Sequence, residues 1–368
     1  MATGFFWDER CFWHSGGNYT LTMPVGGLVQ PLAAGGLPES PETKRRLKNL
    51  MDVTGLTAEL AAQTAPPASR EALERVHPAA YLDEFKKTSD AGGGELGHHT
   101  PFSQGGYEIA ALSAGLAVGA VDAVASGTLE NAYALSRPPG HHCSADTPAG
   151  FCLLANIAIA IEAARAKGLV KRVAVLDWDV HHGNGTESIF YDRDDVLTIS
   201  LHQERNYPTT TGALADRGRG AGEGHNINLP MYAGSGHTAY LHALDRVVIP
   251  ALEAFRPDMI IVACGFDASV LDPLAQMMVL AETFGAMTQR IKETAHRLCD
   301  GKLVLVHEGG YSEAYVPFCG HATIAALAGS AIDAPDPLGQ SLRMRQPSSD
   351  FDAFLRQSID RMAEQLDL

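Results

Sequence analysis

Asp177-Trp178-Asp179-Val180-His181-His182 packs two carboxylates and two imidazoles into six residues, directly before Gly183-Asn184-Gly185. In a chain with only 19% charged residues, such a cluster points to metal chemistry rather than to solubility. The preceding run, Arg172-Val173-Ala174-Val175-Leu176, is short, β-branched and apolar, as a buried parallel strand should be. Open α/β sheets bind ligands at the carboxyl ends of their strands. Residues two apart in an extended segment share a face, so Asp179 and His181 converge while Val180 turns into the core. They would supply two of the three protein ligands that a catalytic zinc usually takes, with water in the open position. A lone Asp-x-His is more often a polar turn, so the assignment needs a second site.

Met259-Ile260-Ile261-Val262-Ala263-Cys264 provides it: a second buried-strand run, followed by Gly265-Phe266-Asp267-Ala268. Asp267 is the candidate third ligand. Two further apolar runs end in polar groups. Asn131 to Leu135 leads into Arg137-Pro138-Pro139-Gly140-His141-His142, and Leu303 to Val306 leads into His307-Glu308-Gly309-Gly310-Tyr311. Four strand ends contribute to one rim.

Taken in order, RPPGHH, GFC, LDWDVHHGNG, SLHQ, GFDA and EGGYS resemble the motif set of the histone deacetylase family, and most closely its class II-like bacterial histone deacetylase-like amidohydrolases. The resemblance implies an α/β arginase/deacetylase-like fold with a mostly parallel multi-stranded sheet flanked by helices. It also implies one catalytic zinc per chain and hydrolysis of an acetamide on an amine. Matched position by position, Asp179, His181 and Asp267 are the zinc ligands, His141 and His142 the tandem histidines, and Tyr311 the carbonyl-polarising tyrosine. Asp177 supports His141. With Asp179, His181, Ser200 and Leu201 it would also hold a structural monovalent cation, K+ or Na+. Gly150, Phe151 and Tyr207 line the acyl-lysine channel, with Leu274 at its mouth.

The chemistry of the side chains agrees with these roles. Two carboxylates neutralise most of the zinc charge while still allowing the pKa of its water to fall to about 7. His142 would take the water proton and deliver it to the departing amine, with His141 stabilising the attack. The Tyr311 hydroxyl would face the developing oxyanion. Some family members carry Asp where this chain has Asn184. An amide stabilises imidazolium less, so His142 is expected to be less basic here. After Asp267 come Ala268, Ser269 and Val270, so the Asp-x-Asp of two-metal arginases is missing and a dinuclear manganese site is not expected. Polyamine-selective relatives carry Glu at the Leu274 position, and an apolar residue offers no partner to a distal ammonium. Acetylpolyamine or other small acetylamide deacetylation is the alternative reading, with Glu95 as a substitute acid, and a noncatalytic acyl-binding module is the third.

Other residues have plainer expectations. Cys152 and Cys264 sit in apolar runs as small hydrophobes, and Cys143 beside the histidines is the one thiol to test for reactivity. His98 and His99 read as a solvated glycine-rich loop at the pocket rim, and His202 and His307 as members of structural hydrogen-bond networks.

The 368 residues read as one deacetylase-like domain, 1–368, with its motif core at 131–326 and no linker or repeat. Amphipathic helices are expected over Tyr107 to Ser126, Leu154 to Lys167, His237 to Phe255, Ala281 to Leu298 and, at the C-terminus, Ser348 to Leu368. Ser40-Pro41-Glu42 is a helix start and Gly55 its stop. A net charge of −15 without a basic block disfavours nucleic acid and suits a cationic acyl-lysine protein or peptide, or a small acetylated amine. Six cysteines without zinc-finger spacing, and no signal-peptide core, predict reduced thiols and a cytoplasmic location. No membrane span is expected. Bacterial relatives form dimers or tetramers, so a homo-oligomer is expected, with Pro24-Val25-Gly26-Gly27 and the C-terminal helix as contacts.

Overall fold

The computed structural model describes residues 2–29 and 36–368. Eight strands form the main sheet: β1 (Thr3–Phe6), β2 (Ala61–Gln63), β3 (Asn131–Ala134), β4 (Val173–Asp177), β5 (Val196–Gln203), β6 (Asn226–Met231), β7 (Met259–Cys264) and β8 (Leu303–His307). Their spatial order is β6-β5-β4-β7-β8-β3-β1-β2, and every neighbouring pair is parallel. The sheet is therefore wholly parallel, beyond the mostly parallel one expected.

The sequences of the four central strands explain their place. β4, β7, β8 and β3 are buried at every position, with no solvent face for polar residues to occupy. Runs such as Met259-Ile260-Ile261-Val262 are stable only where helices cover both faces of a sheet. Burying each such aliphatic side chain contributes about 1.5–3 kcal/mol.

The helix Pro41–Thr54 begins and ends as its sequence predicts. The Ser40 hydroxyl accepts the Glu42 N–H, Pro41 opens the first turn, and Gly55 closes the last at φ 87°. Ser348 caps the C-terminal helix Ser349–Gln365, three residues shorter at its end than expected. The stretch from His237 to Phe255 is helical throughout, but Leu244–Val248 is wound as a π turn between two α segments. Pro250, lacking an N–H, lies just beyond that turn, where regular pairing is interrupted.

Helix Gly106–Ala125 differs from the amphipathic element expected. Residues 110–117 are all buried, and the charges Glu108 and Asp122 lie toward its two ends. By length and composition it is apolar enough to cross a membrane, contrary to the expectation that no stretch would be, and most of it is buried inside the fold. It packs on helix Asn156–Ala166. Gly115 lets it approach the chain at Pro66, whose carbonyl oxygen would lie 2.1 Å from a Cβ there.

Candidate active site

Sheet order assembles the site. β4 runs out into Asp179 and His181, β7 into Asp267, β8 into Glu308 to Tyr311, and β3 into His141 and His142. These four strands are contiguous in the sheet, so motifs far apart in the chain meet at one edge.

Three donors converge there. Asp179 Oδ1 and Asp267 Oδ2 each lie 3.1 Å from His181 Nδ1, and all three residues are buried. The other oxygens of the two carboxylates are fixed by backbone donors: Gly309 N–H reaches Asp179 Oδ2 at 2.8 Å, and Val180 N–H reaches Asp267 Oδ1 at 2.7 Å. Burial opposes a charge on His181, but Asp267 and Asp179 overcome it and hold the imidazole up at about 10. Burial, with the neighbouring Asp179 charge, pushes Asp267 up to about 6. Two buried carboxylates facing one imidazole form a donor set that could hold a metal ion in place of the imidazole proton, and its composition fits zinc. Only glycine fits at position 309, because a Cβ would lie 2.1 Å from Asp267 Oδ2 and 2.6 Å from Asp179 Oδ2. His141, Cys152 and Glu308 also come together. There Glu308 Oε2 accepts the N–H groups of Gly140 and His141, and Cys152 Sγ accepts that of His142, while the buried Glu308 Oε1 has no hydrogen-bond partner among the described residues.

The tandem histidines have opposite environments. His141 Nδ1–H donates to Asp177 Oδ2 at 2.9 Å, and His142 Nδ1–H donates to Asn184 Oδ1 at 2.7 Å. Burial disfavours charge on His141, yet Asp179 and Asp177 outweigh it and hold this imidazole well above the ordinary histidine value. His142 is held well below it, first by burial and then by the positive charges of His141 and His181. The weak basicity expected of His142 is present, but its main cause is burial; the Asn184 hydrogen bond acts in the opposite direction. With hydrogen on Nδ1, Nε2 is the basic nitrogen of His142.

A channel of about 230 Å³ leads to these groups, lined by Thr22, His99, His142, Gly150, Phe151, His181, Asn206, Tyr207, Leu274 and Tyr311. Phe151 stands edge-on to Tyr311, with ring centroids 5.8 Å apart, and Tyr207 edge-on to His142 at 5.0 Å. Gly150 adopts φ 51°, and a Cβ there would lie 2.3 Å from His142 Cδ2 and 2.9 Å from Tyr207 Cε1. Burial, reinforced by Asp267 and Asp179, raises the Tyr311 phenol well above its usual value, so it remains a hydroxyl and a donor. Ser200 and Leu201 lie outside the channel. Ser200 is the register partner of Asp177 across the β4–β5 pair, which sets both residues beside the segment that carries Asp179 and His181.

The channel also contains residues that motif reasoning did not single out. Thr22 comes from the turn joining Tyr19–Thr20 to Met23–Pro24, and Asn206 from the segment before Tyr207. The His98–His99 loop, by contrast, lies at the pocket rim as its sequence predicts: His99 lines the channel, and His98 stacks on Tyr207. Three buried acids were missed as well. Asp272 accepts the N–H of Tyr311, and Glu308, pushed up to about 7 chiefly by burial, carries the backbone before the histidines. Glu39 receives both Arg137 Nε and Lys44 Nζ, while Arg137 Nη1 donates to the carbonyls of Cys11 and His14. Cys143 is fully buried, and burial pushes its thiol far above the reactive range. His202 bonds Ser200 and the Gly212 carbonyl, and His307 bonds Tyr133, as structural networks require.

Comparison with known proteins bears on the fold and the family. Residues 37–327 match the histone deacetylase domain model. A histone deacetylase-like amidohydrolase of Pseudomonas aeruginosa is 57% identical over 366 residues, covering 100% of this chain and 96% of that protein. A probable deacetylase of Archaeoglobus fulgidus is 37% identical over 85% of this chain and 89% of its own length. Among solved structures, the HDA15 HD domain superposes with a TM-score of 0.81 at 31% identity, covering 99% of each chain. The parallel sheet, the site at its carboxyl edge and these likenesses lead to one conclusion: the chain belongs to the histone deacetylase family and is an enzyme of the deacetylase type.

Proposed function

We propose that this deacetylase is zinc-dependent and removes acetyl groups from lysine side chains. The observation that carries the proposal is the convergence of Asp179, His181 and Asp267 at the foot of an apolar channel that also presents His142 and Tyr311. Asp179, Asp267 and His181 would hold zinc, which when bound acidifies water and polarises the acyl carbonyl. His142 Nε2, neutral because it is buried, takes the proton from the attacking water and gives it to the leaving amine. His141, paired with Asp177, carries positive charge next to the developing anion. The Tyr311 hydroxyl donates to that anion, and the aromatic walls exclude solvent, which strengthens each of these interactions.

The channel lining favours lysine over polyamine carriers. Above the catalytic groups its mouth presents Leu274, Asn206, Thr22 and His99, and among the described residues no carboxylate lines it to receive a distal ammonium. A K+ or Na+ ion beside Asp177, Ser200 and Leu201 belongs to the same proposal, as does self-association. Helix Ser349–Gln365 exposes Phe351 and Phe354, which stack on each other, with Phe354 also stacked on Tyr232. Light scattering tests the assembly. Turnover of acetyl-lysine peptides and acetylpolyamines, together with elemental analysis, tests the activity. One zinc per chain and preference for peptide are expected. Two tightly bound metals, or a preference for polyamines, would refute the reading.

A further inference from the structure

Tyr311 follows two glycines: Gly309 is tied by its N–H to Asp179 Oδ2 at 2.8 Å and by its carbonyl to the Phe266 N–H at 3.0 Å, whereas Gly310, at φ 121°, has no side chain to pack. The tether at Tyr311 itself comes from Asp272. The Asp272 carboxyl is buried between two loops and spends one oxygen on each: Oδ2 accepts the Tyr311 N–H at 2.8 Å, and Oδ1 accepts the Leu274 N–H at 2.9 Å. Asp272 is itself held by its own N–H on the Ser269 carbonyl at 3.0 Å, within a turn anchored by the Val270 N–H on the Val279 carbonyl. From Leu274 the connection continues, because its carbonyl accepts Asn206 Nδ2–H at 3.1 Å, next to Tyr207. Leu274 packs into the same apolar cluster as Tyr19, Phe151 and Tyr311.

We propose that Asp272 is a positioning residue that clamps the catalytic Tyr311 loop to the Leu274 loop, so that the channel mouth and the hydroxyl at its foot are set as one unit. The proposal rests on the zinc-dependent deacetylase reading. Asp272 touches neither substrate nor reacting atoms; it acts through the Tyr311 backbone. Because the hydroxyl contributes only when aimed at the oxyanion, loosening the clamp removes most of what Tyr311 supplies. The loss belongs to turnover rather than to substrate affinity.

The test is a double-mutant cycle on the zinc-loaded enzyme with an acetyl-lysine peptide. Asp272→Ala should lower kcat by at least about tenfold with KM within about threefold and zinc content unchanged. In that background Tyr311→Phe should cost less than a further tenfold, against about 10²–10³-fold in the parent. Hydrogen exchange supplies a readout independent of activity: the amides of Tyr311 and Leu274 should lose protection together in Asp272→Ala. In Asp272→Asn, which keeps the shape and a single acceptor oxygen, only one of the two should lose it. Asp272→Asn also serves should the alanine variant fail to fold. Full additivity of the two substitutions, or unchanged protection of both amides, overturns the clamp. A parent without zinc-dependent turnover of the peptide overturns instead the reading beneath it, and the exchange result stands apart from that.

Discussion

Gly150→Ala places a methyl group where the structure leaves no room. The added carbon would lie 2.3 Å from His142 Cδ2 and 2.9 Å from Tyr207 Cε1. Carbon atoms in ordinary contact stand about 3.5–4.0 Å apart, so the His142 ring must retreat by about 1 Å or more. A displacement of that size at a proton-transferring group costs about 10²-fold in rate, or about 2.7 kcal/mol of transition-state stabilisation. Folding suffers less. The backbone at φ 51° costs alanine about 1–2 kcal/mol, and movement of His142 relieves most of the overlap. The three atoms nearest the methyl belong to His142 and Tyr207 and none to Asp179, His181 or Asp267, so the metal should stay. The expected variant is folded and zinc-loaded, about a hundredfold down in kcat/KM on an acetyl-lysine peptide, with a melting temperature lowered by several degrees. Elemental analysis and a thermal melt accompany the kinetics. A folded variant within threefold of the parent would show that Gly150 does not set the position of His142.

Tyr311→Phe keeps the ring packed against Phe151 and should leave folding and zinc content intact while lowering kcat by about 10²–10³-fold, or roughly 2.7–4 kcal/mol; an unchanged kcat removes the hydroxyl from the mechanism. Asn184→Asp sets a carboxylate where an amide oxygen now lies 2.7 Å from His142 Nδ1. A negative charge favours the imidazolium and raises the folded pKa; since only neutral His142 can accept the proton, the acid limb of the kcat/KM profile should move to higher pH, and an unmoved limb counts against His142 as the base. Leu274→Glu gives the channel mouth a partner for a distal ammonium, worth about 1 kcal/mol when partly exposed, so kcat/KM for acetylpolyamine relative to acetyl-lysine peptide should rise several-fold. A fixed ratio would mean that Leu274 does not choose the carrier.

How much of this site shows in the chain depends on whether a residue's partners are local. β4 and β7 can be read directly because a buried parallel strand needs an unbroken apolar run, and the polar residues that follow it then stand out. The helix from Pro41 to Gly55 can be read from its ends, where Ser40 and Gly55 satisfy groups within three residues of themselves. Helix Gly106–Ala125 shows the limit of periodicity, for a helix covered on nearly every side has no polar stripe to mark its phase.

Asp272 shows why a buried acid is the hardest feature to read. In the chain it follows Leu271 and precedes Pro273, like any acid in a loop, and nothing nearby predicts that it will be buried. A carboxyl group tolerates burial only where hydrogen-bond donors meet it. One of its donors is the Leu274 N–H, two residues on, but the other is the Tyr311 N–H, which reaches it only because β7 and β8 are neighbours. Glu308 obeys the same logic, with donors at Gly140 and His141 that depend on the pairing of β8 with β3. Metal-ligand types carry their chemistry in their identity, so a motif can announce them. Asp272 and Glu308 acquire theirs from strand order, a property of the folded sheet and of no local spacing.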